Sequence, residues 1–154
     1  MDGTVNGAMD KVNAGEAGLS VFTYGTLKPG GRYHRRYCDT YLTEAIPGMV
    51  KGRLFDFPQL GYPAMTVGAD WVKGYLLKFS QPQAICDDIL HRLDVLEGYC
   101  EENPAEANEY VRCKLPVFGL DDELLQAAWG YRMSLEKVRS LGGVYLSSGD
   151  WPIP

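Results

Sequence analysis

The strand-like segments of this chain come in runs, and one well-marked helix interrupts them. Leu19 to Tyr24 (Leu-Ser-Val-Phe-Thr-Tyr) is β-prone and is stopped by Gly25; Met49 to Phe57 alternates as a half-buried strand does, and Trp71 to Phe79 is a third candidate. Tyr110 to Val117 and Ala127 to Met133 read as a further pair, with Phe118 to Glu123 turning between them. A helix competes for the second of these, because Leu124, Leu125, Ala128 and Trp129 also fall at helical spacing within Asp122 to Arg132. Strict alternation of strand and helix, which a doubly wound parallel sheet requires, is not seen. The order predicts an α+β fold in which a curled sheet or small barrel is flanked by helices.

The interrupting helix carries its own punctuation. Ser80-Gln81-Pro82-Gln83 has the form of a capping box, with Ser80 as N-cap, Gln83 three residues on and a proline tolerated in the first turn. Ile85, Ile89, Leu93 and Leu96 step by four, four and three residues and so form one buried stripe, and Gly98 supplies the stop. A second helix is predicted over Arg32 to Leu42, where Tyr33, Tyr37 and Tyr41 share a face, and a short helical turn over Ser134 to Ser140. Pro58 to Pro63 breaks the strand pattern, and Ser147 to Pro152 reads as a loop. Residues 1–18 carry four glycines among Asn, Asp and Ala without a hydrophobic period, so they are expected to be a flexible tail ahead of one domain over 19–154.

Composition removes several classes of function. A net charge of -5 and no basic tract argue against a grip on nucleic acid or on an anionic membrane. The first twenty residues contain no apolar run of the kind a leader or a membrane span needs, which points to a cytoplasmic address. Cys38, Cys86, Cys100 and Cys113 form no Cys-x-x-Cys pair and read as free, buried thiols, and with two histidines a multi-His metal centre is not expected. A single small domain is compatible with a monomer or a weak homodimer.

Two segments are candidates for chemistry. Tyr24-Gly25-Thr26-Leu27 ends the first strand, and a glycine there lets the chain turn so that successive amides form a nest for an anion or a carbonyl oxygen; the plain alternative is an ordinary turn. No Gly-Lys-Ser/Thr follows, so a nucleotide is not implied. Leu93-Asp94-Val95-Leu96-Glu97-Gly98-Tyr99 places Glu97 in the last helical turn, at the negative end of the helix dipole and near Asp94. Both features raise a carboxyl pKa and suit a general acid/base, the alternative being a solvated helix end. Asp94 is the reserve base. Cys100 to Glu109 reads as a solvated acidic flap, and His34 as a surface residue.

The conjunction of strand-Tyr24-Gly-Thr-Leu27, then Leu93-Asp-x-x-Glu97-Gly-Tyr99, then Tyr110-x-Arg112 resembles the γ-glutamylcyclotransferase-like family, which includes γ-glutamylamine cyclotransferase and AIG2-like proteins. The likeness runs from about Val21 to Trp151, and Trp129-Gly-Tyr131 and Gly149-Asp-Trp151 also look like family elements. It implies a small mixed β-barrel flanked by helices, and an enzyme that releases a γ-glutamyl group as 5-oxoproline from a γ-glutamyl amine or peptide. It further implies that Glu97 is the acid/base and that Tyr24, Gly25, Thr26 and Leu27 hold the γ-glutamyl moiety, with Tyr110 and Arg112 lining or supporting the pocket, the alternative being cross-strand packing for Tyr110 and a surface ion pair for Arg112. No metal or organic cofactor is required by that chemistry. The rival reading is a non-catalytic module that uses the same pocket to bind a small acid.

Overall fold

A computed structural model describes residues 18–153; the tail expected over 1–18 lies outside them apart from Gly18. Six strands form: β1 (Leu19–Thr23), β2 (Glu44–Phe57), β3 (Tyr62–Phe79), β4 (Val111–Phe118), β5 (Leu124–Arg132) and β6 (Val144–Tyr145). Two α-helices, α1 (Gln83–Leu96) and α2 (Leu135–Ser140), accompany a π-helical turn at Arg35–Asp39 and a short 3-10 turn at Ala105–Ala107. β2 and β3 form one long antiparallel hairpin, β3 pairs β1, β1 runs parallel to β5, β5 pairs β4, and β4 returns to β2 through Met49 and Phe118. That circuit closes a five-stranded mixed barrel, with β6 added on β2. The α+β barrel expectation is met.

Period-two alternation divides the apolar side chains between two cores. Phe22, Val50, Leu54, Met65, Val72, Leu76, Leu115, Val117 and Ala128 come from all five barrel strands and fill the interior. Their neighbours Val21, Phe55, Phe57, Leu77 and Phe79 face outward and pack with Ile89 and Leu93 of α1. The helix is thus pinned against the outer wall beside β1, and its C-terminal end comes to the end of that strand.

Several local expectations need correction. Ser80 does not cap α1: the helix starts at Gln83 after Pro82 with no side-chain cap, and the Ser80 amide donates instead to Thr43 Oγ1 at 2.9 Å. The Pro82 carbonyl accepts the first amides of the helix, those of Ile85 and Cys86, so the start is displaced by two residues. The stripe itself holds, with Ile89 and Leu93 buried and Ile85 and Leu96 packed at its margin. The break at Pro58 narrows to a turn ending at Gly61, and β3 begins at Tyr62; Pro63 is accommodated inside it. Between Arg32 and Leu42 only the π-helical turn forms, because Tyr33 and Tyr37 pack edge-on at 6.0 Å while Tyr41 points to solvent. Over Leu124 to Arg132 the strand reading prevails through a full antiparallel ladder with β4. The four cysteines are free; Cys38 and Cys86 are buried, Cys113 half-buried, and Cys100 exposed, contrary to expectation. No helix among the described residues is long and apolar enough to cross a membrane.

Candidate active site

The end of β1 and the end of α1 meet at one cavity of about 160 Å³. That is below the range of about 300–1,000 Å³ usual for drug-sized ligands, and it suits a molecule of amino-acid size. Tyr24, Gly25, Thr26 and Leu27 line one side, Leu96 and Glu97 another, and Tyr62, Pro63, Glu109, Tyr110 and Tyr131 complete the wall.

The loop after β1 is built by its own backbone. The Lys28 amide donates to the Gly25 carbonyl at 3.0 Å, Gly31 to Lys28 at 2.7 Å and Tyr33 to Thr26 at 3.0 Å. The amides of Gly25, Thr26 and Leu27 donate to no carbonyl among the described residues, which leaves three donors beside the cavity. Glycine is required at position 25 by proximity: a Cβ there would stand 2.9 Å from the Pro63 ring. His34 is buried, not on the surface, because its Nδ1 donates to the Leu27 carbonyl at 2.8 Å and braces the loop. From the other side the buried Lys28 ammonium donates to the Trp151 carbonyl at 2.5 Å and lies 3.6 Å from Asp150. The Gly149-Asp150-Trp151 segment therefore holds the loop beside the cavity in place.

Glu97 is the C-cap of α1. Gly98 follows at φ 68°, its amide bonded to Val95 O and that of Tyr99 to Asp94 O, the double closure of a Schellman motif. The predicted glycine stop is therefore present, and it turns the chain so that Glu97 faces the cavity. Burial raises the Glu97 carboxyl to about 8, and the negative charges of Glu109 and Asp94 add to the shift. No side chain among the described residues hydrogen-bonds to that carboxylate.

The surrounding tyrosines are fixed by partners. Tyr24 Oη donates to Tyr131 O at 2.8 Å and accepts from the Met65 amide at 3.1 Å. Tyr110 Oη donates to Pro63 O at 2.6 Å, and Tyr131 Oη to Asp94 Oδ1 at 2.7 Å. Burial pushes all three phenols well above their usual range, so they stay neutral donors. Tyr62 Oη donates to Glu109 Oε2 at 2.8 Å; burial and that bond raise it to about 12.

Arg112 does not line the cavity. Its Nη1 donates to Asp94 Oδ2 at 2.5 Å, and the guanidinium lies 4.6 Å from the Trp129 ring centroid and 5.3 Å from that of Tyr99. Asp94 holds Tyr131 and Arg112 and does not line the cavity either, which removes it as reserve base. The two touch the cavity wall through Tyr131, and the Asp94 charge also acts on Glu97.

Glu109 is the residue that the sequence reading missed. It closes the Cys100 to Glu109 segment, whose exposed part is anchored and not a free flap. Asn108 is buried, receives the Cys100 amide at 3.0 Å and donates back to Cys100 O at 3.3 Å, while Lys137 Nζ donates to the Asn108 carbonyl. The available signal was its place directly before Tyr110: a residue that ends a pinned loop beside a wall residue of the cavity is itself drawn to the rim.

Residues 21–152 match the protein family described as γ-glutamyl cyclotransferase, AIG2-like. The chain belongs to that family. None of the curated proteins compared with it matches its sequence. Among solved structures, an AIG2-like protein from Mus musculus is 19% identical with a TM-score of 0.62, the match covering 88% of each chain. YkqA from Bacillus subtilis is 20% identical with a TM-score of 0.57 over 87% of this chain, which spans only 39% of YkqA. A γ-glutamyl cyclotransferase structure is 15% identical with a TM-score of 0.51, covering 84% of this chain and 69% of its own. At such identities these structures show the shared fold, and the family match is what ties the chain to cyclotransferase-like proteins.

Proposed function

We propose that this chain is a γ-glutamylcyclotransferase-type enzyme that cleaves a γ-glutamyl amine or peptide to 5-oxoproline and a free amine, with Glu97 as general acid/base. The observation that carries the reading is a carboxyl raised to about 8, facing the same cavity as three uncommitted backbone amides. In a γ-glutamyl amide the α-amino nitrogen reaches the γ-carbonyl carbon of its own chain and closes a five-membered ring. The protein need not supply a nucleophile, which fits a wall of tyrosines and carboxyls that, among the described residues, contains Thr23 and Thr26 but no Ser, Cys or His.

The neutral α-amine attacks the carbonyl carbon, forming the ring C–N bond. Ionised Glu97 takes one proton from the attacking nitrogen and returns it to the leaving nitrogen as the amide C–N bond breaks; protons balance and no water is consumed. A carboxyl raised this far is closer in proton affinity to an amine than an ordinary glutamate, so the transfer is less uphill. The amides of Gly25, Thr26 and Leu27 are suited to the substrate carboxylate or to the developing oxyanion. Tyr24 and Tyr110 hold the shape of the pocket through bonds to Tyr131, Met65 and Pro63.

A time course separates the enzyme from a binding module that uses the same cavity. Incubation with a panel of γ-glutamyl compounds is expected to release 5-oxoproline and amine in equal amounts over many turnovers. Saturable 5-oxoproline binding at Tyr24 to Leu27 with no release from any compound would establish the binding module instead.

A further inference from the structure

The cavity has a closed end and a mouth, and the two differ in chemistry. Tyr24, Gly25, Leu27, Tyr110 and Tyr131 are buried, whereas Thr26, Tyr33, Tyr62, Leu96, Glu97 and Glu109 are half-buried and form the rim. Two of the rim residues are carboxylic acids and two are aromatic rings. Among the described residues, no Lys, Arg or His lines the cavity anywhere. Arg32 comes near the mouth, but it is exposed, sits 5.8 Å from the Tyr33 centroid and does not line the cavity. A carboxylate beside tyrosine faces is the chemistry that binds an ammonium group, through charge-assisted hydrogen bonds and the ring quadrupole.

Resting on the cyclotransferase reading, we infer that Glu109 is a specificity-determining residue that selects γ-glutamyl amides whose leaving amine carries a second, positively charged amino group. If the γ-glutamyl part occupies the closed end against the Gly25 to Leu27 amides, the leaving group must project through the rim. Glu97 is committed there to the proton transfer. Glu109 is held by Tyr62 Oη through Oε2, which fixes its orientation and leaves Oε1 for a ligand. A leaving group with a carboxylate at that place meets two acidic side chains and is disfavoured by like charge.

Three amides of matched length test this: those of γ-glutamate with 1,4-diaminobutane, with n-butylamine and with 4-aminobutyrate, which end in a cation, a methyl group and a carboxylate. In the wild type kcat/KM is expected to favour the cationic over the neutral amide by about fivefold or more, an amount typical of one partly exposed charged contact, and to be lowest for the anionic one. Glu109→Gln should bring the cationic-to-neutral ratio close to one. Because Glu109 also raises Glu97, the variant changes the rate for every substrate, so the ratio at a pH above 8 is the readout. The wild-type ratio should also fall with added salt, a measurement that needs no variant. Equal turnover of all three amides, a preference for the anionic one, or a ratio unmoved in Glu109→Gln would overturn the inference while leaving the cyclotransferase reading intact. No 5-oxoproline from any of them would overturn both.

Discussion

Replacing Glu97 by glutamine should slow catalysis by orders of magnitude and make the protein more stable at alkaline pH. In the unfolded chain this carboxyl loses its proton around its ordinary value of 4.5, whereas in the fold burial, Glu109 and Asp94 hold the proton on until about 8. Between those values the folded state binds a proton that the unfolded state has released, so each pH unit removes up to about 1.4 kcal/mol of stability. The contribution is complete below 4.5 and has been lost once the pH has risen through 8. A ceiling of roughly 5 kcal/mol follows for pH 9. Glu97 is half-buried, and solvent reaching the mouth lowers the expected difference to about 2 kcal/mol. Glutamine cannot ionise and keeps the shape, so Glu97→Gln should differ little from wild type at pH 5. At pH 9 it should melt about 4–8 °C higher, given the sensitivity of a domain of this length. Paired urea and thermal melts at the two pH values measure this. A variant equal to or less stable than wild type at pH 9 would refute the raised carboxyl.

Three further outcomes follow from the same geometry. Glu109→Gln removes the larger of the two charge contributions to Glu97, so the acid limb of kcat/KM against pH, expected near 8 in the wild type, should move to lower pH in the variant. Gly98→Ala puts a Cβ 2.9 Å from that of Glu109 at φ 68°, and urea melts should show a loss of about 1–2 kcal/mol together with reduced turnover. Lys28→Met leaves the Trp151 carbonyl without its buried donor; a cost of about 1–3 kcal/mol and a change in tryptophan fluorescence are expected.

What the sequence reveals here is what local pattern encodes. The stripe Ile85, Ile89, Leu93 and the stop at Gly98 are decided within one helix, and their spacing placed Glu97 at its C-terminal end correctly. The β1 strand and its Gly25 turn were legible for the same reason. At Ser80 the local signal loses to a distant one: the capping form is present, but Thr43, 37 residues away, takes the Ser80 amide and Pro82 begins the helix. The burial of His34 depends on a carbonyl seven residues earlier in a folded loop, and the place of Glu109 on the tertiary closure of Cys100 to Asn108. Neither leaves a periodic trace. The resemblance implies that Arg112 lines or supports the pocket, and of the two only a supporting place, through Asp94 and Tyr131, is found. Strand alternation sends residues 110 and 112 to the same side, but Asp94 captures the guanidinium before it reaches the cavity.

The central claim is that Glu97 moves the proton that lets a γ-glutamyl amide close on itself. Its most direct test is the initial rate of 5-oxoproline release from one γ-glutamyl amide at pH 8 by wild type and Glu97→Gln, both shown to be folded. The account predicts a loss in kcat of about 100- to 10,000-fold, the usual contribution of a general acid/base, with KM changed far less. A Glu97→Gln variant that releases 5-oxoproline at the wild-type rate would contradict it.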